Sequence, residues 1–92
     1  MTVEELRKRL VAEGLCFMGY LVLRNVAESP ESITALARIA TANWETVSNH
    51  VDHQVKRGLL LRSAGVVRVK LRKGVMISIT EAGKELLGRV EG

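Results

Sequence analysis

The 92-residue chain suffices for one domain, and its 47% hydrophobic residues can form a core that is mostly aliphatic, because only three residues are aromatic. A single cysteine excludes an internal disulfide, and the charged amino terminus and short uncharged runs argue against a signal peptide or a membrane span, so we expect a cytoplasmic protein. The formal net charge of +4 is concentrated in residues 32–74, which carry eight basic and two acidic side chains. This excess indicates a surface for a polyanion, and a merely solvated basic surface is the alternative.

Two helices are predicted in the first third of the chain. Apolar residues at helical spacing indicate the first helix, which Gly14 ends. Its apolar face consists of Val3, Leu6, Leu10 and Val11. The second helix extends from about Cys16 to Glu28 and ends before Pro30, and we expect Cys16 to be a buried, unreactive thiol. The residues predicted to be buried in this helix are Phe17, Met18, Leu21, Val22 and Val26.

Two further helices follow with a short connection. Ser32 is a suitable N-cap for a helix over residues 33–40, and Asn43 for a helix over residues 44–57 that Gly58 ends. Spacing of four predicts the buried stripe of the second of these helices as Val47, Val51 and Val55. We expect Trp44 to pack between helices because it adjoins this stripe; stacking on a base is the alternative.

The pattern changes to period two after Gly58. Apolar and basic residues alternate, which predicts a β-meander with turns at Ala64-Gly65 and Lys73-Gly74. Thr80 is then the N-cap of a final short helix. The apolar residues of this last helix are Ala82, Leu86, Leu87 and Val90.

Two short helices followed by a β-hairpin have the layout of a winged helix-turn-helix. The segments 36–37, 43–51, 58–60 and 79–83 resemble that family, and the resemblance is closest to MarR-like regulators of archaea and bacteria. It implies an α+β, mainly α fold: an N-terminal helix over residues 1–14 that could mediate dimerisation, and a winged helix-turn-helix domain over 15–92. The recognition helix is then expected at about 44–57 and the antiparallel β-wing at about 59–80. The sequence departs from the family pattern at Thr41, Ala42 and Gln54 and in a longer wing.

The polar side of the predicted recognition helix carries the first group of expected DNA contacts. Asn49 is the best base reader, because its amide can pair with the donor and acceptor on adenine; an ordinary exposed polar residue is the alternative. Thr46 and the first-turn amides can hold a phosphate, whereas Glu45 and Asp52 either accept from cytosine or lower non-specific affinity. The DNA-binding residues predicted on and before this helix are Asn43, Thr46, Ser48, Asn49, His53 and Lys56.

The basic residues of the predicted wing form the second group of expected DNA contacts. Alternate residues of a strand share one face about 7 Å apart, close to the ~7 Å between phosphates, so a comb of such residues fits a nucleic-acid backbone. A solubilising edge strand is the alternative interpretation. The predicted wing contacts are Arg68, Lys70, Arg72 and Lys73.

These residues favour sequence-specific binding of double-stranded DNA by a transcription regulator acting as a homodimer, since palindromic sites need two recognition helices. The stripe of Val3, Leu6 and Leu10 is either the dimer surface or a face packed on its own domain. The alternative function is a winged helix for RNA binding or for assembly within a larger nucleic-acid machine.

No catalytic arrangement, cofactor or membrane partner is expected, and the sequence identifies no small-molecule effector. His50 and His53 lie three residues apart without a second pair of ligands, so His50 is predicted to be a packing residue and no metal site is expected.

Overall fold

A computed structural model of the chain describes residues 2–67 and 72–92. Five helices and two strands follow one another in the expected order, which confirms an α+β, mainly helical winged helix. The elements are α1 Val3–Ala12, α2 Phe17–Glu28, α3 Ile33–Ala40, α4 Trp44–Lys56, β1 Leu60–Val67, β2 Arg72–Ile79 and α5 Glu81–Glu91.

Each of the five helices begins at a side chain that accepts a hydrogen bond from a backbone amide three residues later, as a helix N-terminus requires. The caps are Thr2, Cys16, Ser32, Asn43 and Thr80. Thr41 ends α3 with a φ of 52°, in the left-handed region that a β-branched residue rarely adopts. This conformation gives a physical reason why glycine suits that position of the helix-turn-helix connection.

The helices bury an aliphatic core, but α2 is rotated relative to the prediction. Val22 and Val26 are buried as expected, whereas Phe17 is 60% exposed and Leu23 is fully buried. Because α2 is apolar on several sides, spacing alone does not select its buried face; packing on α3, α4 and α5 does. The complete buried face of α2 is Gly19, Val22, Leu23 and Val26.

The wing is one antiparallel hairpin, so the predicted meander is wrong. Gly65 in β1 pairs with Gly74 in β2, which places both predicted turns inside strands. Glycine is common in turns but is tolerated in a strand, and here eight residues of each strand pair continuously. Residues 68–71, which include the predicted contacts Arg68 and Lys70, lie outside the described residues. Glu31 adds a single bridge on the other edge of β2, through two hydrogen bonds with Ile77 of 3.0 and 2.7 Å.

α1 packs against α5 within the same domain. Leu10 is part of the buried core, and the Arg9 Nη1 atom donates to the Val90 carbonyl oxygen over 3.2 Å. At the carboxyl end of α1, Arg89 Nε donates to Glu13 Oε1 over 2.9 Å. The exposed side of α1 is largely charged, but it includes two large apolar residues, Val3 at 84% and Val11 at 71% exposed.

A polar contact joins α2 to the end of α5. The Tyr20 hydroxyl donates to Glu91 Oε2 over 2.9 Å. Burial raises the pKa of the Tyr20 phenol, and the neighbouring Glu91 carboxylate raises it further.

No single helix in the described part of the chain is long and apolar enough to cross a membrane. α1 and α2 together meet the criteria of length and composition, but they form a bent pair with an angle of 92° between them.

Candidate nucleic-acid interface

α4 has one buried and one solvent-facing side. Val47, Val51 and Gln54 are buried, so Gln54 takes the place in the core stripe that was predicted for Val55, which is only half-buried. The reason is geometric: spacing of four and then three residues keeps to one face of a helix with 3.6 residues per turn, whereas two steps of four drift away. This burial fixes which side chains of α4 face outward.

The outward side of α4 presents a polar stripe. Its members follow at spacings of three, four and three residues, which places them along one face. All four are exposed and all were predicted as DNA contacts: Thr46, Asn49, His53 and Lys56. Ser48 is half-buried on one flank of this stripe.

Asn43 caps the amino-terminal end of α4. Its Oδ1 accepts a hydrogen bond from the Thr46 amide over 2.7 Å, so this predicted contact has a capping role in the helix. The Thr46 amide is therefore engaged, and the earlier first-turn amides of α4 are those that could face a phosphate. Glu45 is exposed beside them and opposes an anion by its charge.

The second acidic residue of α4 is neutralised by the wing. The Asp52 carboxylate forms an ion pair with the guanidinium of Arg62 in β1. Arg62 was not among the contacts predicted from the sequence. The period of two could have placed Leu60 and Arg62 on the same side of the strand. Arg62 thus joins the surface formed by the outward side of α4.

Two of the four basic residues predicted as wing contacts lie in the described part of the hairpin. Arg72 and Lys73 lie in β2, opposite Val67 and Val66 of β1. Arg68 and Lys70 fall outside the described residues. Among the described residues β1 ends at Val67 and β2 begins at Arg72, so the arrangement of Arg68, Lys70 and Arg72 along one strand face stays a prediction. Their DNA contacts stay a prediction based on charge and on position in the wing.

Trp44 and Cys16 are more exposed than the sequence predicts. Trp44 is 56% exposed rather than packed between helices. It precedes Val47 by three residues, about 60° around the helix, so it lies at the edge of the buried face. Cys16 is exposed because its thiol caps α2, where Sγ accepts from the Gly19 amide over 3.4 Å.

His50 approaches that thiol from α4. It is half-buried, and its Nδ1 lies 3.7 Å from Cys16 Sγ. Among the residues that the structure describes, no group of three or more His, Cys, Asp or Glu side chains could hold a metal ion.

An apolar groove opens between α1 and α2, away from the polar stripe of α4. Its volume is about 450 Å³. The lining residues are Val3, Leu6, Arg7, Leu10, Val11, Leu15, Cys16 and Phe17. Leu10 and Leu15 form its floor as core residues, whereas the exposed Val3, Val11 and Phe17 leave its rim open to a partner.

No protein-family model matches the sequence. No curated protein matches it either. Solved structures do match, and three illustrate the range of identity. A MarR-family transcriptional regulator from Rhodococcus sp. RHA1 is 26% identical with a TM-score of 0.77; the alignment covers 97% of this chain and 64% of that one.

The second structure is the transcriptional regulator BldR from Sulfolobus solfataricus, which is 23% identical with a TM-score of 0.79, over 97% of this chain and 63% of that one. The third is the YusO protein from Bacillus subtilis, which is 16% identical with a TM-score of 0.82, over 96% and 61%. The chain spans between 57% and 65% of the length of such neighbours.

Two of these three structures are transcriptional regulators, and the TM-scores of 0.77 to 0.82 show that the chain shares the fold of all three. The chain therefore has the winged helix-turn-helix fold of the MarR-family transcriptional regulators.

Proposed function

We propose that this protein is a transcription regulator that binds double-stranded DNA sequence-specifically, with α4 in the major groove. The observation that carries the proposal is the polar stripe of α4, which faces outward because the opposite side of the helix is buried. A B-DNA major groove admits one α-helix, and Asn49 lies in the middle of the stripe, where its amide could pair with adenine.

Charge supports the same surface. Lys56 closes the stripe, Arg62 stands beside it, and four further basic residues belong to the wing. Such side chains bind phosphates, position the protein and make the affinity dependent on salt. We infer no catalytic role for any residue, and we propose a cytoplasmic location.

A homodimer would supply the two recognition helices that a palindromic site needs. The exposed rim of the groove between α1 and α2 is the surface we assign to it, because Val3, Val11 and Phe17 are large apolar side chains open to solvent. Leu10, by contrast, contributes to the core of its own domain.

Exposed Trp44 favours a second candidate function. An aromatic side chain at the start of α4 could stack on an unpaired base, as single-stranded RNA or DNA binding requires. Trp44 is the first residue of α4, so such a single-strand site would lie at the amino-terminal end of this helix.

One experiment separates the two candidates. The full chain is used to select duplexes from a random library, and the selected duplex, its separated strands and the matching RNA are compared by gel shift. We expect the duplex to bind more tightly than each single strand and more tightly than a scrambled duplex. Tighter binding of a single strand, abolished in Trp44→Ala, would support the second candidate and contradict the first.

A further inference from the structure

The hairpin carries one basic side chain to the recognition helix. Leu60 and Arg62 are two residues apart in β1, so they project to the same side of the hairpin. Leu60 is fully buried among the helices, and Ile77, the partner of Arg62 in β2, is buried as well. Arg62 is therefore the first exposed residue after the buried Leu60 on this side of β1. Its side chain reaches α4.

At α4 the Arg62 side chain meets Asp52. Asp52 immediately precedes His53 of the polar stripe, and its ion pair with Arg62 places it on the side of the stripe that faces the wing. The two side chains keep 38% and 47% of their surface exposed. A guanidinium has five N–H donors in a fixed plane, and one carboxylate engages at most two of them, so the others remain directed to solvent.

We propose that Asp52 is a positioning residue that holds the Arg62 guanidinium against α4 as a contact for the nucleic-acid backbone. This inference rests on the proposed function and adds to it a basic contact that composition and strand period had not identified. It also gives the Asp52 carboxylate a partner within the protein, which is a role other than the contact with cytosine that the sequence suggested.

Neutralising Asp52 should change the affinity for DNA in one direction if this residue positions Arg62, and in the other direction if it only repels phosphates. If Asp52 only repelled phosphates, its neutralisation would tighten binding to every duplex. If it positions Arg62, the same change releases a flexible side chain and weakens binding. An exposed ion pair contributes little to the free energy of unfolding, so the effect on binding is separable from stability.

Glu45 provides a matched control on the same helix. It is exposed in the first turn of α4 and forms no ion pair with any residue in the ranges 2–67 and 72–92. Glu45→Gln therefore removes one negative charge close to the stripe without releasing a basic side chain.

The test measures the Kd of the full chain for the selected duplex at several salt concentrations. We expect Asp52→Asn to weaken binding by roughly tenfold, as for the removal of one charge-assisted hydrogen bond, and Glu45→Gln to tighten it. Arg62→Gln should weaken binding to a similar extent and reduce the slope of log affinity against log salt by about one unit. The double variant Asp52→Asn with Arg62→Gln should bind no more weakly than Arg62→Gln alone, because the positioning residue then has nothing to position and its negative charge is gone.

Tighter binding by Asp52→Asn, as in Glu45→Gln, would overturn the inference while leaving the proposed function intact. If the unsubstituted chain binds no duplex above a scrambled control, the proposed function itself fails. Should Asp52→Asn not fold by circular dichroism, Arg62→Gln and Arg62→Lys decide: we expect a loss in Arg62→Gln that the retained charge of Lys partly restores. Wild-type affinity and salt slope in Arg62→Gln would also overturn the inference.

Discussion

Gly83 in α5 lies directly against the backbone at Leu59: a β-carbon on Gly83 would be 2.4 Å from the Leu59 carbonyl oxygen. The same residue donates its amide to Thr80 Oγ1 over 3.1 Å, and Thr80 Oγ1 in turn donates to the Gly58 carbonyl oxygen over 2.6 Å. This cluster fixes where α5 begins relative to the end of α4 and the start of β1.

We therefore expect Gly83→Ala to lower the free energy of unfolding by about 1–3 kcal/mol, since a backbone oxygen cannot move aside as a flexible side chain can. Gly88→Ala is the matched control in the same helix, because a β-carbon there meets no atom within 4 Å. The control should stabilise by about 0.5–1 kcal/mol. Denaturant unfolding measures both, and equal effects would show that the contact with Leu59 is not limiting.

Replacing the buried amide of Gln54 by an apolar side chain should stabilise the fold, in contrast to Gly83→Ala. Gln54 is 1% exposed, and its Oε1 has no hydrogen-bond partner among the described residues. An unsatisfied buried acceptor costs about 1–3 kcal/mol, so Gln54→Leu should raise the thermal midpoint of unfolding. Gln54→Ala should lower it, because truncation leaves a cavity. A lower midpoint in Gln54→Leu would mean that the amide is satisfied.

The apolar rim formed by Val3, Val11 and Phe17 can be tested through the oligomeric state. We expect Val3→Glu together with Val11→Glu to give a folded monomer in analytical ultracentrifugation, with weaker binding to a two-fold symmetric duplex. Leu10→Glu is the contrasting variant: it places a charge in the core and should lose helical circular dichroism. A double variant that stays dimeric would place the interface elsewhere.

The basic residues of the wing predict a salt effect. Replacing Arg68, Lys70 and Arg72 by Gln should weaken binding to specific and scrambled duplexes alike and reduce the salt slope by roughly one unit for each phosphate that the wing no longer neutralises. The thermal midpoint should change little.

The control removes three positive charges elsewhere, at Lys8, Arg24 and Lys84, which are exposed on α1, α2 and α5. If both triple variants change the slope equally, net charge rather than the wing explains it.

The helix boundaries could be predicted because their causes are local. Capping side chains such as Ser32 and Asn43, and the left-handed Gly14 and Gly58, act within a few residues of themselves. The winged order of elements followed from these boundaries together with the change of period after Gly58.

Features that depend on tertiary packing could not be predicted in the same way. The choice between Phe17 and Leu23 as the buried residue of α2 depends on which neighbours surround the helix. The hairpin register, with Gly65 opposite Gly74, depends on pairing between two strands, and the ion pair of Asp52 with Arg62 joins residues from different elements. Sequence alone therefore found the polar stripe of α4 but not the basic residue beside it.

Whether α4 reads base sequence is measured with the substitution Asn49→Ala. The full chain and the variant are titrated with the selected duplex and with a scrambled duplex of equal length at one salt concentration. Because base contacts specify and phosphate contacts position, we expect Asn49→Ala to lose about 1–3 kcal/mol on the selected duplex and almost nothing on the scrambled one. Lys56→Gln, which removes a proposed phosphate contact on the same stripe, should weaken binding to both duplexes equally. Equal losses in Asn49→Ala on the two duplexes would contradict base reading by α4.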